Sequence, residues 1–437
     1  MRMAEKLLIR GARILDPACG RDETGDILIG GGTLEQAGGR ISCEDARVVD
    51  GGGLVAAPGL VDMHVHLRDP GFCEKEDVFS GCRAAAAGGV TSLLAMPNTN
   101  PAADSPETVS GILKKAESAD ARVYVAAAIT KGLKSEELCD LAALKKAGAV
   151  AFSDDGRPVT DTRLMARALR IAAGLHRRIV SHCEDLSLAG GLMNEGEISR
   201  ELGVRGTLAA AEDCGTARDI ALAESLGVPI HICHVSTAVS AGMIRDAKKR
   251  GARITAETAP HYFALTERAL LTRNADFRMS PPLRTERDRL AIQKALADGT
   301  IDAVATDHAP HTPREKSDFL TAPNGVVGME TSLAAGITFL VENGVLSLAQ
   351  LIAKMSPIPA AILGIPAGSL RPGGAADLVL FDPKEKWVAD RERLHGKSRN
   401  TPFHGMTLTG RVKLTVCRGK IVYNTEKPEA FSCHWTD

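Results

Sequence analysis

Short apolar runs alternate with amphipathic stretches through the middle of the chain, and with Gly- and Asp-bounded turns at both ends. Near residues 60–66, 90–96, 123–129, 149–153, 179–183, 230–235, 253–258 and 301–306 the sequence is apolar and β-branched, which reads as buried strands. Stretches rich in Ala, Leu, Lys and Glu separate most of them, among them 105–119, 135–147, 207–226 and 237–250, and these predict helices. Strand and helix alternating eight times predict a parallel sheet covered on both faces, and eight strands close a barrel, giving an α/β fold of the (β/α)8 type. An open doubly wound sheet is the alternative. Polar residues after most of the strands suit a ring of loops at one end of a barrel better.

The ends have another texture. Leu7–Leu15 and Gly25–Gly32 near the start, and Ala376–Asp382 and Val412–Tyr423 near the finish, are apolar runs set between turns. Chain ends often lie close together, so both sets predict one small β-sandwich domain. The expected division is 1–56 and 366–437 for that domain and 57–365 for the barrel, which suits a chain of 437 residues.

Composition narrows the function. A hydrophobic fraction of 44% allows a large core. With 53 basic against 54 acidic residues the net charge is −1, which argues against a nucleic-acid binder. No apolar stretch approaches the roughly 18–20 residues that span a bilayer. Met1–Lys6 show no apolar export core, and the ten cysteines form no CxxC pair, so a reducing, cytoplasmic setting is expected.

The chemistry gathers at strand ends. His64 and His66 alternate on one face of the first barrel strand, half of a metal site. On its own, an HxH pair is equally well two polar residues ending a strand. Other ends add Ser153-Asp154-Asp155-Gly156, Ser181-His182-Cys183-Glu184, His231-Ile232-Cys233-His234 and Thr306-Asp307-His308. Imidazoles and carboxylates at five strand ends on one barrel face supply ligands for two divalent ions, zinc best of all. Alternation turns Cys183 and Cys233 to the opposite face as packing residues, and makes His231 a hydrogen-bonded core histidine. Glu184 is either a support for a ligand or solvent-facing, and parity does not choose between Asp154 and Asp155.

These residues resemble the dihydroorotases. Gly59-Leu60-Val61-Asp62-Met63-His64-Val65-His66-Leu67-Arg68-Asp69-Pro70-Gly71 is similar to the family's opening signature, and Ala95-Met96-Pro97-Asn98-Thr99 to its second motif. Phe152–Gly156, His234–Thr237, Pro281–Arg284 and Asp307–His311 follow in the family's order, so the resemblance covers essentially the whole chain. It implies zinc-dependent, reversible cyclisation of N-carbamoyl-L-aspartate to L-dihydroorotate, a step of pyrimidine (UMP) biosynthesis. It implies two zinc ions per subunit, bridged by Asp155 and a hydroxide, with His64, His66, Asp155 and Asp307 on the first and Asp155, His182 and His234 on the second. Asp155 takes the place of the carboxylated lysine that bridges the metals in many relatives. Asp307 is implied as general base and then acid. Arg68, on the same side as His66, would grip the substrate carboxylate, with His66, Asn98, Ser280, His311, Asn324 and Gly325 completing the pocket. Ser280 departs from the family, which commonly has Asn there, and a hydroxyl cannot make paired amide contacts. A homodimer and an association with aspartate transcarbamoylase are further implications.

Two rivals stand beside this. A hydantoinase or allantoinase would share barrel and metals, but generally uses the bridging lysine and lacks the arginine two residues past HxH; Asp155 and Arg68 favour the dihydroorotase reading. A non-catalytic homologue that scaffolds aspartate transcarbamoylase would be expected to lose ligands that are all present here.

Overall fold

A computed structural model describes residues 6–426; residues 1–5 and 427–437, with the outer edges of both expected β segments, lie outside the described residues. Eight parallel strands run in order: β1 (Leu60–Val65), β2 (Val90–Ala95), β3 (Arg122–Ala128), β4 (Ala151–Ser153), β5 (Arg178–Ser181), β6 (Ile230–Ile232), β7 (Ile254–Thr258) and β8 (Ala303–Val304). Each pairs with its successor. The ring closes just past β8, where Val65 bridges to His308 and His66 N donates to His308 O at 2.8 Å. The Asp62 carboxylate bolts the same seam, accepting from Thr306 N at 3.0 Å and from the Thr306 hydroxyl. An open sheet has no such closure.

Alternation along the strands builds two apolar layers. Leu60, Val65, Leu93, Phe152, Ile179, Ile232 and Ile254 pack outward in the cluster shared with the helices. Val61, Met63, Leu94, Ala126, Ala151, Val180, Cys233 and Ala303 fill the inside, stoppered at the strands' amino ends by Ile362 and Leu363 of the helix Pro357–Leu363. Fully burying each such large aliphatic side chain contributes about 1.5–3 kcal/mol. One expected helix is shorter than its pattern: 135–147 becomes Leu141–Lys146, because the Asp140 carboxylate accepts from Ala143 N and starts the helix there.

The chain ends interleave in one sheet, ordered Lys420–Asn424, Thr407–Cys417, Leu378–Val388, Val55–Pro58, Lys6–Asp16, Arg21–Gly30, Thr33–Ala37, with Ala46–Asp50 also on Lys6–Asp16. Val55–Pro58 lies antiparallel to Leu378–Val388, so the segment entering the barrel pairs with one that has left it. Arg122 at the start of β3 reaches Asp377 at 2.7 Å and ties the two units together.

Candidate metal centre

β1 carries His64 and His66 to its carboxyl end through an irregularity. Its register against β2 slips between Asp62 and Val65, and both imidazoles then reach the same two carboxylates, Asp155 and Asp307. His64 Nε2 lies 3.1 Å from Asp155 Oδ1, and His66 Nε2 lies 3.4 Å from Asp155 Oδ2 and 3.2 Å from Asp307 Oδ1. From β5 and β6, His182 Nδ1 and His234 Nε2 approach Asp155 Oδ1 at 3.6 and 3.7 Å. Asp155 therefore stands between two histidine pairs. Its neighbour Asp154 turns away and accepts from Ile129 N, Thr130 N and the Thr130 hydroxyl, which resolves the pair that parity left open.

The outer nitrogens show what the inner ones need. His64 Nδ1 donates to Glu257 Oε1 at 2.9 Å, His66 Nδ1 to Asn98 Oδ1 at 2.8 Å, and His182 Nε2 to Glu184 Oε2 at 3.2 Å. In the neutral rings these bonds leave bare lone pairs on the nitrogens that face Asp155, Asp307 and His234. Lone pair against carboxylate repels unless a cation lies between. His64 Nε2 and Asp155 Oδ1 are buried, 3.1 Å apart, and neither has a hydrogen-bond partner. His64, His66 and Asp307 form one group with metal-ligand spacing, and His64, Asp155 and His234 another. The donor set of imidazole nitrogens and carboxylate oxygens fits divalent cations.

Electrostatics say the same. Burial opposes ionisation of Asp155, yet the surrounding imidazoles hold it well below the usual carboxylate range. Asp307, also disfavoured by burial, is held at about 2 by its bond to His66 and by the neighbouring imidazoles. Burial opposes the charge on His182, but Asp155 and Glu184 raise it to about 10. The carboxylates demand positive charge among these rings, and protons supply it where metal does not.

Backbone geometry explains why alternation fails past the strand ends. Arg68, His234 and Asp307 adopt left-handed φ of +61°, +36° and +48°. For non-glycine residues this costs of the order of 1–3 kcal/mol and occurs where surrounding structure imposes it. Thr237, three residues past His234, then caps the helix Ala238–Lys249 by accepting from Ser240 N at 3.0 Å.

Beside this cluster Arg68 is half-buried; its Nε donates to Pro310 O at 3.2 Å and its Nη2 lies 3.4 Å from His311 Nε2. His311 also donates from Nε2 to Asn324 O at 2.9 Å, and burial with the nearby Arg68 charge pushes its pKa down to about 3, so the ring is neutral. Gly325 has φ +138°, and a Cβ there would meet Ala309 O at 2.8 Å, so glycine is required. Gly325 N donates to Arg278 O at 3.0 Å, and half-buried Ser280 follows Arg278 by two residues.

Cys233 corrects the alternation argument. It is a packing residue, but it sits with the inner cluster beneath His64 rather than on the opposite face. Cys183 does pack outward. His231 is a buried, hydrogen-bonded core histidine, with Nδ1 2.9 Å from Thr255 Oγ1 and Nε2 3.3 Å from Glu257 Oε2.

Three residues of the site escaped the sequence reading. Glu257, buried in β7, joins His231 to His64, and a lone acid within an apolar strand was its only signal. Asn400 lies far from every motif, yet its amide donates to Ala309 O and Gly325 O and its carbonyl accepts from His311 N. His261 is buried with an unpartnered Nε2, and burial lowers its pKa to about 4 against the pull of Asp307. The Pro260-His261 pair just past β7 marked it.

Known proteins match throughout. Residues 53–240 match the dihydro-orotase-like family model and 209–423 the amidohydrolase family model. A dihydroorotase of Geobacter metallireducens is 50% identical over 421 residues, covering 95% of this chain and 99% of that one. A dihydroorotase of Syntrophus aciditrophicus is 49% identical, covering 96% and 100%. Among solved structures, the L-hydantoinase of Arthrobacter aurescens superposes with a TM-score of 0.86 at 24% identity, covering 97% and 96%, a likeness of fold alone. The dihydropyrimidinase of Brevibacillus agri gives 0.83 at 25%, covering 96% and 95%.

Proposed function

The chain belongs to the dihydroorotase family, and from that premise we propose that its His–Asp cluster opens and closes the cyclic amide of L-dihydroorotate, interconverting it with N-carbamoyl-L-aspartate. The carrying observation is Asp155 standing between two histidine pairs, with Asp307 3.2 Å from one of them and Arg68 beside His311 at the rim. No helix among the described residues is long and apolar enough to cross a membrane.

In this reading His64, His66, Asp155 and Asp307 would hold one zinc ion and Asp155, His182 and His234 a second, which when bound would supply Lewis acidity toward a carbonyl oxygen and a lowered pKa for water. Asp307 takes the proton of the attacking water at its carboxylate and delivers it to the ring nitrogen as the C–N bond breaks; in the biosynthetic direction the proton moves back and water leaves. Arg68 binds the exocyclic carboxylate through its guanidinium, assisted by Asn98 and His311. Asn98 keeps its amide N–H groups for this, since its oxygen is taken by His66. Backbone groups at Asn324 and Gly325, with Ser280, contact the ring.

Purified protein should turn over dihydroorotate and not hydantoin or allantoin, and metal analysis should return two zinc ions per chain. Turnover of hydantoin without dihydroorotate would overturn the substrate, and protein purified without chelator that carries no divalent metal would overturn the centre.

A further inference from the structure

A second constellation lies at the opposite end of the barrel. A cavity of about 490 Å³ opens at the amino ends of β4 to β7, where Val150, Arg178, Pro229 and Arg253 begin or precede those strands. Arg177 and His176 close one side, and the carboxyl end of the helix Pro357–Leu363 closes another. No aspartate or glutamate is among the lining residues.

Among the described residues none of the three arginines has a carboxylate within ion-pair distance, whereas neighbouring Arg250 pairs with Glu224 at 2.9 Å and Lys248 with Asp302 at 2.6 Å. The hydrogen bonding is sparse as well. Arg178 Nε donates to Ile362 O at 3.1 Å and Arg177 Nη1 to His176 O at 3.2 Å. Arg177 Nε is buried and donates to nothing. Each guanidinium carries five N–H donors, so most of this capacity is unspent. Arg253 is exposed, whereas Arg177 and Arg178 are half-buried in the wall of the same cavity. Burial and the charge of Arg253 weigh against the charge on Arg178, with Asp302 pulling the other way.

Three arginines lining one concave space whose other walls are largely apolar match a compact oxyanion better than a flat protein face. We propose that this cavity binds a small phosphate-bearing anion through Arg177, Arg178 and Arg253. The site is independent of the proposed activity but coupled to it by position. β4 to β7 run from this cavity to Asp155, His182, His234 and Glu257 at their other ends. Arg178 and His182 are four residues apart along one strand, roughly 13 Å.

The test is thermal unfolding and calorimetric titration of the zinc-loaded protein with inorganic phosphate, pyrophosphate and ribose 5-phosphate, against sodium chloride at equal ionic strength. Pyrophosphate in large excess should raise Tm by about 2–4 °C or more while chloride does not. The Arg253→Ala variant, altered only at an exposed side chain, and the Arg177→Ala/Arg253→Ala variant should bind at least tenfold more weakly. Phosphate and ribose 5-phosphate separate the free ion from an ester, and either binding in an arginine-dependent way supports the site. An equal shift with chloride, or no binding by any probe, overturns the proposal. So does binding that survives in the double variant, which would place the anion at the metals. An acidic peptide that binds through these arginines where phosphates do not would overturn it in favour of a protein partner.

Discussion

Glu257→Gln tests how far the metal centre depends on a residue that never touches it. The two Glu257 oxygens face different rings, Oε1 at 2.9 Å from His64 Nδ1 and Oε2 at 3.3 Å from His231 Nε2. Burial opposes its charge, but the two imidazoles hold its pKa at about 2, so it is ionised throughout the working range. Glutamine keeps the volume and opens no cavity, yet it has only one acceptor oxygen. If that oxygen turns to His64, the amide N–H group confronts His231. If it turns to His231, His64 must move its proton from Nδ1 to Nε2, the nitrogen that faces Asp155. The second arrangement takes away the lone pair with which His64 would bind a cation, so the population of His64 able to bind one falls by its share. Losing a carboxylate that orients a metal-bound histidine costs about 10–100-fold in metal affinity, or roughly 1.4–2.7 kcal/mol. The assay is residual zinc after equilibration against graded chelator, followed by activity at saturating zinc. The variant should lose metal at 10–100-fold lower chelator strength and recover most turnover when zinc is restored. A chelator profile superimposable on the parent protein would refute the reasoning.

Three other expectations follow from the site. Asp307→Asn removes the proton acceptor with little change in shape, so dihydroorotate hydrolysis should fall by at least 10²-fold while the unfolding midpoint moves little; near-parental turnover would remove the acid–base role. Arg68→Ala should raise KM strongly and leave zinc content unchanged, and an unaltered KM would contradict the carboxylate grip. Lys316 donates to the carbonyls of Ala275, Arg278 and Pro323, and burial, helped by Arg278 and opposed by Asp276, lowers its pKa to about 7. Between about pH 7 and its unfolded value near 10.4, the unfolded chain binds more protons at this residue, so it makes stability rise with pH there, by at most about 1.4 kcal/mol per unit. Lys316→Gln should flatten that slope in denaturant titrations from pH 7 to 9, and an unchanged slope would disprove the link.

Much of this was legible in the chain. Eight apolar runs and their intervening helices mark the barrel because burial on both faces leaves strands such as Arg122–Ala128 apolar along most of their length. His64, His66, His182, His234 and Asp307 are visible because polar groups stand at the ends of such strands. Alternation stops being a guide where φ turns positive, at His234 and Asp307, or where register slips, in β1. That is why Cys233 was placed on the wrong face; Asp154 and Asp155 were inseparable without the family pattern because both lie past the end of Ala151–Ser153, where strand parity no longer applies. Glu257 and Asn400 were missed for a different reason. Each acts through a contact far away in sequence, from Glu257 to His64 and from Asn400 to Gly325 and Ala309, and no local spacing records such a contact.

The latch made by Asn400 has a consequence for biosynthesis. Every barrel strand is encoded before residue 305, and all six residues of the proposed metal cluster before residue 308. Asn400 emerges from the ribosome almost a hundred residues later, and only then can the turn at Gly325 be fastened to His311. A nascent chain interrupted between these points carries all the proposed ligands for the cations and no finished seat for the substrate. Completion of the proposed substrate seat therefore waits for a residue encoded after every barrel strand and after every proposed ligand.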